Sequence, residues 1–341
     1  MTHPYKDLEP RAYWRTAVSA KHFSELVDIG EKILLSPGDR VATAGSCFAQ
    51  HIGRALKAGG MGYMDLELPP ADLTPEEAQR HGFGIYSCRY GNIYTVRQLR
   101  QLAEEALGDR TPDEITWKRG DRYCDALRPS VDPVGHNSPD TIRHLRSRHL
   151  QKVRRMLETL DVFVFTLGLT EAWQLHKDQT VFPVCPGTEA GVFESLKYGF
   201  VNFRYPDIFA DLVRFREILK SINGRARMIL TVSPVSLAAT ASGKHILSAN
   251  TYSKSTLRAV AGDVSEMFSD VAYFPSYEII TGHPMRATFF NSDLRTVSPY
   301  GVNYVMNHFF STINREKTTL ADTYDKLGVV CDEDKLAGPG V

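Results

Sequence analysis

Four short stretches, residues 41–44, 162–167, 228–232 and 271–274, are apolar at nearly every position, and longer amphipathic stretches separate them. A strand with one wet face alternates apolar and polar residues, whereas a strand covered on both faces is apolar throughout. The chain is therefore expected to adopt an α/β fold, a mainly parallel sheet flanked by helices on both faces. Helices are expected over 48–57, 96–106, 141–160, 208–222, 252–268 and 300–313, where apolar side chains recur every three or four positions. Residues 66–80, rich in Pro, Asp and Glu, and 109–140, punctuated by Pro112, Gly120, Pro129, Pro133 and Pro139, read as loops, and 179–205 reads as irregular. Insertions of this kind often build the substrate face of an α/β enzyme. The expected organisation is an N-terminal arm over 1–30, one domain with loop insertions over 31–315 and a peripheral tail over 316–341, frayed at 337–341.

Composition narrows the partners. Forty Lys and Arg balance forty Asp and Glu in 341 residues, so no global field recruits nucleic acid or an anionic membrane surface. The five cysteines are odd in number and lack CxxC spacing, which argues against a disulfide framework and a structural zinc site and for a reducing compartment. No stretch approaches the ~20 apolar residues of a membrane span, and the first residues lack the apolar run of a secretory signal. The expectation is a cytoplasmic protein, not inserted in a membrane, with no cofactor and no metal. Neither a Walker A nor a dinucleotide glycine fingerprint is present.

The stretch Thr43-Ala44-Gly45-Ser46-Cys47-Phe48-Ala49 joins the first apolar run to the first helical one. Ser46 and Cys47 therefore fall near a helix N-terminus, where free N–H groups and the helix dipole favour a thiolate or a developing oxyanion. The plainer reading makes Ser46 an N-cap and Cys47 a buried apolar residue.

Gly45-Ser46-Cys47-Phe48-Ala49 also spells the signature of the GSCFA-domain proteins, a bacterial family that resembles the SGNH/GDSL hydrolases. Phe165-Thr166-Leu167-Gly168-Leu169-Thr170-Glu171-Ala172-Trp173, Thr231-Val232-Ser233-Pro234-Val235, Asn250-Thr251-Tyr252-Ser253-Lys254 and Tyr273-Phe274-Pro275-Ser276-Tyr277-Glu278 look like its later blocks, in the expected order, so the resemblance spans roughly residues 35–312. It implies the SGNH-like three-layer sandwich with a flavodoxin-like sheet. Laid over the hydrolases' Gly-Asp-Ser-Leu block, Cys47 takes the nucleophile's place and Ser46 the aspartate's, while a shift of one residue reverses the roles. Gly91, ahead of Asn92, resembles the second block, whose glycine N–H lines the oxyanion hole, and Thr170 stands where the hydrolases carry an asparagine. The chain departs from the pattern at the last block. Asp293 is present, but Thr296 occupies the histidine position, and aligning on Pro299 puts Ser298 there instead.

A replacement base is then needed, and His51, four residues after Cys47 on the same helix face, is the first candidate, ahead of His245 and His283 in later loops. Around the matching blocks Asn92, Glu171, Trp173, Asn250, Lys254, Glu278 and Arg295 are candidates for substrate contact, or for capping and salt bridging at loop ends. Glu171 and Trp173 suit a sugar ring, and Glu278 and Arg295 are placed to pair with each other or with substrate. The activity implied is hydrolysis or transfer of ester-linked acyl groups on a small molecule or carbohydrate, including a polysaccharide precursor. The alternatives are a binding or assembly protein that retains the scaffold without its acid–base machinery, and a transferase using an activated donor with Asp293 or Glu278 as base.

Overall fold

The computed structural model describes residues 3–33, 35–313 and 329–336. In chain order the strands are β1 (Arg40–Gly45), β2 (Gly62–Tyr63), β3 (Thr116–Arg119), β4 (Arg122–Asp125), β5 (Val162–Leu167), β6 (Glu171–Leu175), β7 (Val181–Phe182), β8 (Tyr198–Asn202), β9 (Arg227–Val232) and β10 (Val271–Tyr273). The α-helices are α1 (Ala49–Ala58), α2 (Pro75–Arg80), α3 (Val96–Leu107), α4 (Pro139–Thr159), α5 (Tyr205–Ile222), α6 (Ile246–Met267), α7 (Ser276–Thr281) and α8 (Pro299–Thr312).

Five strands form the central sheet in the order β10-β9-β5-β1-β2, and every pairing in it is parallel. Alternate residues of each strand point to opposite faces, and here both faces are dry. Ala42, Ala44, Phe163, Phe165, Met228 and Leu230 pack with α3, α4, α5 and α6 on one side. Val41, Val162, Val164 and Ile229 pack with α1, α7 and α8 on the other. This division explains the unbroken apolar runs, and each fully buried Leu or Phe side chain contributes about 1.5–3 kcal/mol. The result is the expected α/β three-layer sandwich.

Two small antiparallel sheets interrupt it, and of their strands all but β6 fall where the sequence suggests loop or irregular chain. β3 and β4 form a hairpin, and β7, β6 and β8 form a three-stranded sheet. Trp117, Cys124, Leu175, Phe182, Val184 and Tyr198 give these insertions a core of their own. The strands are only two to five residues long, too short to show a period against their Pro- and Gly-rich flanks. A buried ion cluster joins them to the main body: Asp125 accepts from Arg128 at 2.8 Å and from Arg146 at 3.1 Å, and Arg146 also holds Glu105.

Other differences are local. The helix expected from 252 begins at Ile246, capped by the ring of His245, and a short helix closed by a Thr74–Glu77 capping box occupies part of the loop expected over 66–80. The N-terminal arm lies against α8, where Tyr304 donates to the Phe23 carbonyl at 2.7 Å. Residues 314–328 and 337–341 of the expected tail lie outside the described residues.

The end of β1 depends on glycine. Gly45 has φ 141°, and a Cβ there would lie 2.4 Å from the Thr166 carbonyl oxygen of β5. Gly60 also has positive φ but faces open space. Gly45→Ala is therefore expected to destabilise the fold by about 3 kcal/mol or more, against about 1 kcal/mol for Gly60→Ala. Urea unfolding of both variants checks this, and equal losses would contradict the close approach.

Candidate functional site

The site begins where β1 stops. Ser46 N–H donates to Thr166 O at 3.2 Å and Ile93 N–H donates to Gly45 O at 2.9 Å, so the strand end is held from both sides. The chain then winds through three-residue turns, with Ala49 N–H on Ser46 O and Gln50 N–H on Cys47 O, into α1. Cys47 thus sits two residues ahead of the helix rather than within its first turn. Ser46 packs against Gly168 at the end of β5, where an added Cβ would lie 2.9 Å from the serine Cβ. The chain leaves β1 towards β2 on one side and continues from β5 towards β9 on the other. Ligands of open α/β sheets bind at such a switch point, outside the carboxyl ends of the strands.

Lys254 completes this centre. It projects inward from α6, is 1% exposed, and donates from Nζ to Gly168 O at 2.7 Å. Burial lowers its pKa to about 8, against the opposing pull of Glu333 and the Cys47 sulfur. A lysine poised near neutrality beside a cysteine is the most chemically capable arrangement at this end of the sheet.

Residues 329–336 lie across the same turn. Gln50, the second residue of α1, holds Val330 by both amide atoms, accepting from its N–H at 3.1 Å and donating to its carbonyl at 2.7 Å. Asn92 donates to the Asp332 carboxylate at 2.8 Å, and the Tyr94 hydroxyl accepts from Asp332 N–H at 3.2 Å. Arg295 approaches Glu333 at 3.6 Å and Asp334 at 2.8 Å, and Ala238 N–H reaches Glu333 at 3.4 Å. Burial raises the Glu333 pKa, while Arg295 and Lys254 oppose the rise. Between these anchors Cys331 packs against the apolar cluster that holds Cys47, and its sulfur accepts from an Arg295 nitrogen at 3.6 Å.

This contact overturns the expected lowering of the Cys47 pKa. The hydrogen bond to Cys331 and the burial of a side chain 4% exposed push the Cys47 thiol well above the ordinary thiol range. Cys331 is shifted down, by the hydrogen bond from Cys47 and by Arg295. The helix N-terminus is present, but desolvation and a neighbouring sulfur outweigh it.

The other expected residues divide in two. Asn92 and Arg295 hold the tail segment, and Gly91, with φ 69°, lines a small cavity beside Gln50, Asn92 and Val330. Thr170 is buried at the end of β5 with its N–H on Ser253 Oγ at 3.1 Å, and its own hydroxyl has no partner among the described residues. The Ser46 hydroxyl is buried in the same way. Glu171 accepts from Thr240 at 2.7 Å and Asn250 accepts from Leu237 N–H at 3.1 Å, both bracing the loop after β9.

The remainder have structural engagements instead. The Asp293 carboxylate, exposed, closes its own turn by accepting from Arg295 N–H, Thr296 N–H and the Thr296 hydroxyl, so it does not orient a base at Cys47. His51 lies beside the Phe48 ring, and burial together with Arg54 lowers its pKa to about 3, far from that of a base working near neutrality. Glu278 pairs with Arg258 and Tyr273 outside the edge strand β10, not with Arg295. Trp173 sits edge-on to Phe193 and Phe200 within the small sheet. His245 caps α6, and His283 stacks on Trp14 at 5.1 Å. Among the described residues no cluster of His, Cys, Asp and Glu could hold a metal ion, and no helix is long and apolar enough to cross a membrane.

Sequence reading places Lys254 near the start of a helix as a substrate contact. It is instead eight residues inside α6 and faces the sheet. Cys331 and Glu333 carry no local signal, since they reach the site from a segment 280 residues from the Gln50 that clamps it.

Comparison with curated protein sequences finds no match. Among solved structures the chain is similar to a carbohydrate esterase family 3 protein from Talaromyces cellulolyticus, at 8% identity over 80% of this chain and 94% of that one, with a TM-score of 0.35. It is also similar to an acetyl esterase mutant with acetate ion, at 9% identity over 79% and 93% of the two chains, with a TM-score of 0.33. The GSCFA family model matches residues 40–309, a span that runs from the first residue of β1 into α8 and takes in the turn, Gly168 and Lys254, and the chain belongs to the GSCFA family.

Proposed function

We propose that the protein hydrolyses or transfers ester-linked acyl groups through a Cys47 nucleophile, with Lys254 as the base that the final sequence block lacks. The observation that carries this reading is the buried lysine at the signature turn, within the electrostatic reach of the Cys47 sulfur. With residues 329–336 moved aside, Lys254 loses the countercharge of Glu333. The neutral amine takes the Cys47 proton, and the thiolate attacks the acyl carbonyl carbon. The resulting oxyanion forms beside the N-terminus of α1 and the unpartnered Thr170 hydroxyl. Collapse expels the alcohol, which takes the proton from Lys254, and leaves a thioester on Cys47. Water completes hydrolysis, or an incoming hydroxyl completes transfer.

A carbohydrate or polysaccharide precursor is the proposed acyl carrier, by the resemblance to ester-handling hydrolases and by the polar groups of Asn92, Glu171 and Asn250 near this strand end. A cytoplasmic setting is proposed with it, from five cysteines with no disulfide among them. A second reading, a binding or assembly protein on the same scaffold, is favoured by the closed Asp293–Thr296 turn, which leaves no Asp–His pair at the usual position.

Turnover of p-nitrophenyl acetate is the first test. Cys47→Ala is expected to lower kcat/KM by about 10³-fold and Lys254→Met by about 10²–10⁴-fold, with Ser46→Ala less damaging. Unchanged turnover in both Cys47→Ala and Lys254→Met would leave the binding-protein reading standing.

The pH profile gives an independent check. A base must be unprotonated to act, so activity should rise as pH climbs through about 8 and level off above it. Lys254→Arg keeps the charge and should lose that limb, whereas a profile rising near pH 6 would point to a histidine instead.

Truncation before residue 329 removes Cys331 and Glu333 together. Alkylation of Cys47 by iodoacetamide at pH 8 should then quicken by about tenfold or more relative to the full chain. An unchanged rate would show that the docked segment does not restrain the thiol.

A further inference from the structure

The two sulfurs that meet at the site have a use the acyl chemistry does not require. Val330 and Asp332 are each anchored to the body of the protein, the first by Gln50 and the second by Asn92 and Tyr94. The residue between them has little freedom, and it packs against the apolar cluster that holds Cys47. Arg295 places a guanidinium nitrogen 3.6 Å from that sulfur, an arrangement that favours an attacking thiolate. Cys331 is also the more accessible partner, being half-buried while Cys47 is 4% exposed.

The remaining cysteines are engaged elsewhere. Cys88 faces Met156 at 3.9 Å, Cys124 lies in the core of the small sheets, and Cys185 donates to the Pro186 carbonyl at 3.5 Å.

We infer that Cys47 and Cys331 form a redox pair that closes to an intramolecular disulfide in the presence of a low-molecular-weight disulfide, pinning residues 329–336 across the strand-end site. The Cys331 thiolate attacks one sulfur of the small disulfide, forms a mixed disulfide and releases one small thiolate. Cys47 then attacks the Cys331 sulfur, displacing the second small thiolate, and the two released thiolates leave as thiols with the protons of the two cysteines. Two protein thiols are oxidised to one disulfide, and one small disulfide is reduced to two thiols. Bond formation does not depend on the proposed acyl chemistry. Its consequence does, because the closed pair removes the proposed nucleophile and reduction restores it.

The test uses the full chain, incubated with excess oxidised glutathione, alkylated with iodoacetamide, digested and examined by mass spectrometry. The expected product is one linked peptide pair, containing Cys47 and Cys331 and lighter than the two thiol peptides by two hydrogens. It should vanish on treatment with dithiothreitol. In Cys331→Ser the linked pair should be lost and Cys47 recovered in alkylated or glutathionylated form, with the fold checked by circular dichroism. Glutathione adducts without a Cys47–Cys331 link, or links spread over Cys88, Cys124 and Cys185, would overturn the inference. A linked pair in a protein that shows no esterase activity would sustain the redox pair and remove only its proposed consequence.

Discussion

The close approach of β1 and β5 at their carboxyl ends is the constraint on which the rest of the site rests. Gly45 has no Cβ, so its backbone can lie where any side chain would strike the Thr166 carbonyl, and Gly168 meets Ser46 in the same way. These two glycines let neighbouring parallel strands stay paired to their last residues while one chain turns into α1 and the other continues outward. The turn that carries Ser46 and Cys47 is therefore held by backbone hydrogen bonds on both sides.

On that platform the electrostatics are decided by burial. Lys254 is desolvated with one carbonyl hydrogen bond, and in the docked state its countercharge comes from Glu333 rather than from a residue of the sheet. Glu333 in turn lies between Lys254 and Arg295. Removing one member of a buried charge cluster costs ~3–5 kcal/mol because the others are left uncompensated. The docked segment and the ionisation state of the site are thus coupled, and the segment's position sets the proton affinity of the two groups proposed to do chemistry.

The insertions show where sequence patterning runs out. The central strands were legible because each is apolar on both faces, and 162–167 coincides with β5 residue for residue. The small sheets were not, because β7 has two residues and β3 and β4 have four each, leaving no period to read. Their identity comes from shared burial of Trp117, Phe182 and Tyr198, contacts made between segments distant in the chain. The same limit applies to α6, whose first turn, starting at Ile246, carries an exposed Leu247 and so does not announce a buried face.

The amino-acid sequence by itself determined the layered α/β architecture, the strand-to-helix position of Gly45-Ser46-Cys47 and the family, since these follow from local periodicity and contiguous motifs. It also exposed the missing histidine, because Thr296 occupies its place in the final block. Only the tertiary structure decided that Asp293 closes its own turn, that His51 is desolvated beside Phe48, that Lys254 reaches the Gly168 carbonyl behind the signature turn, and that Cys331 and Glu333 return to the end of the first strand. The reason is physical. A pKa, an ion pair or a thiol contact depends on which groups share a desolvated volume, and in this chain those groups come from β1, α6 and residues 329–336, whose proximity is created by folding and carries no mark in local sequence.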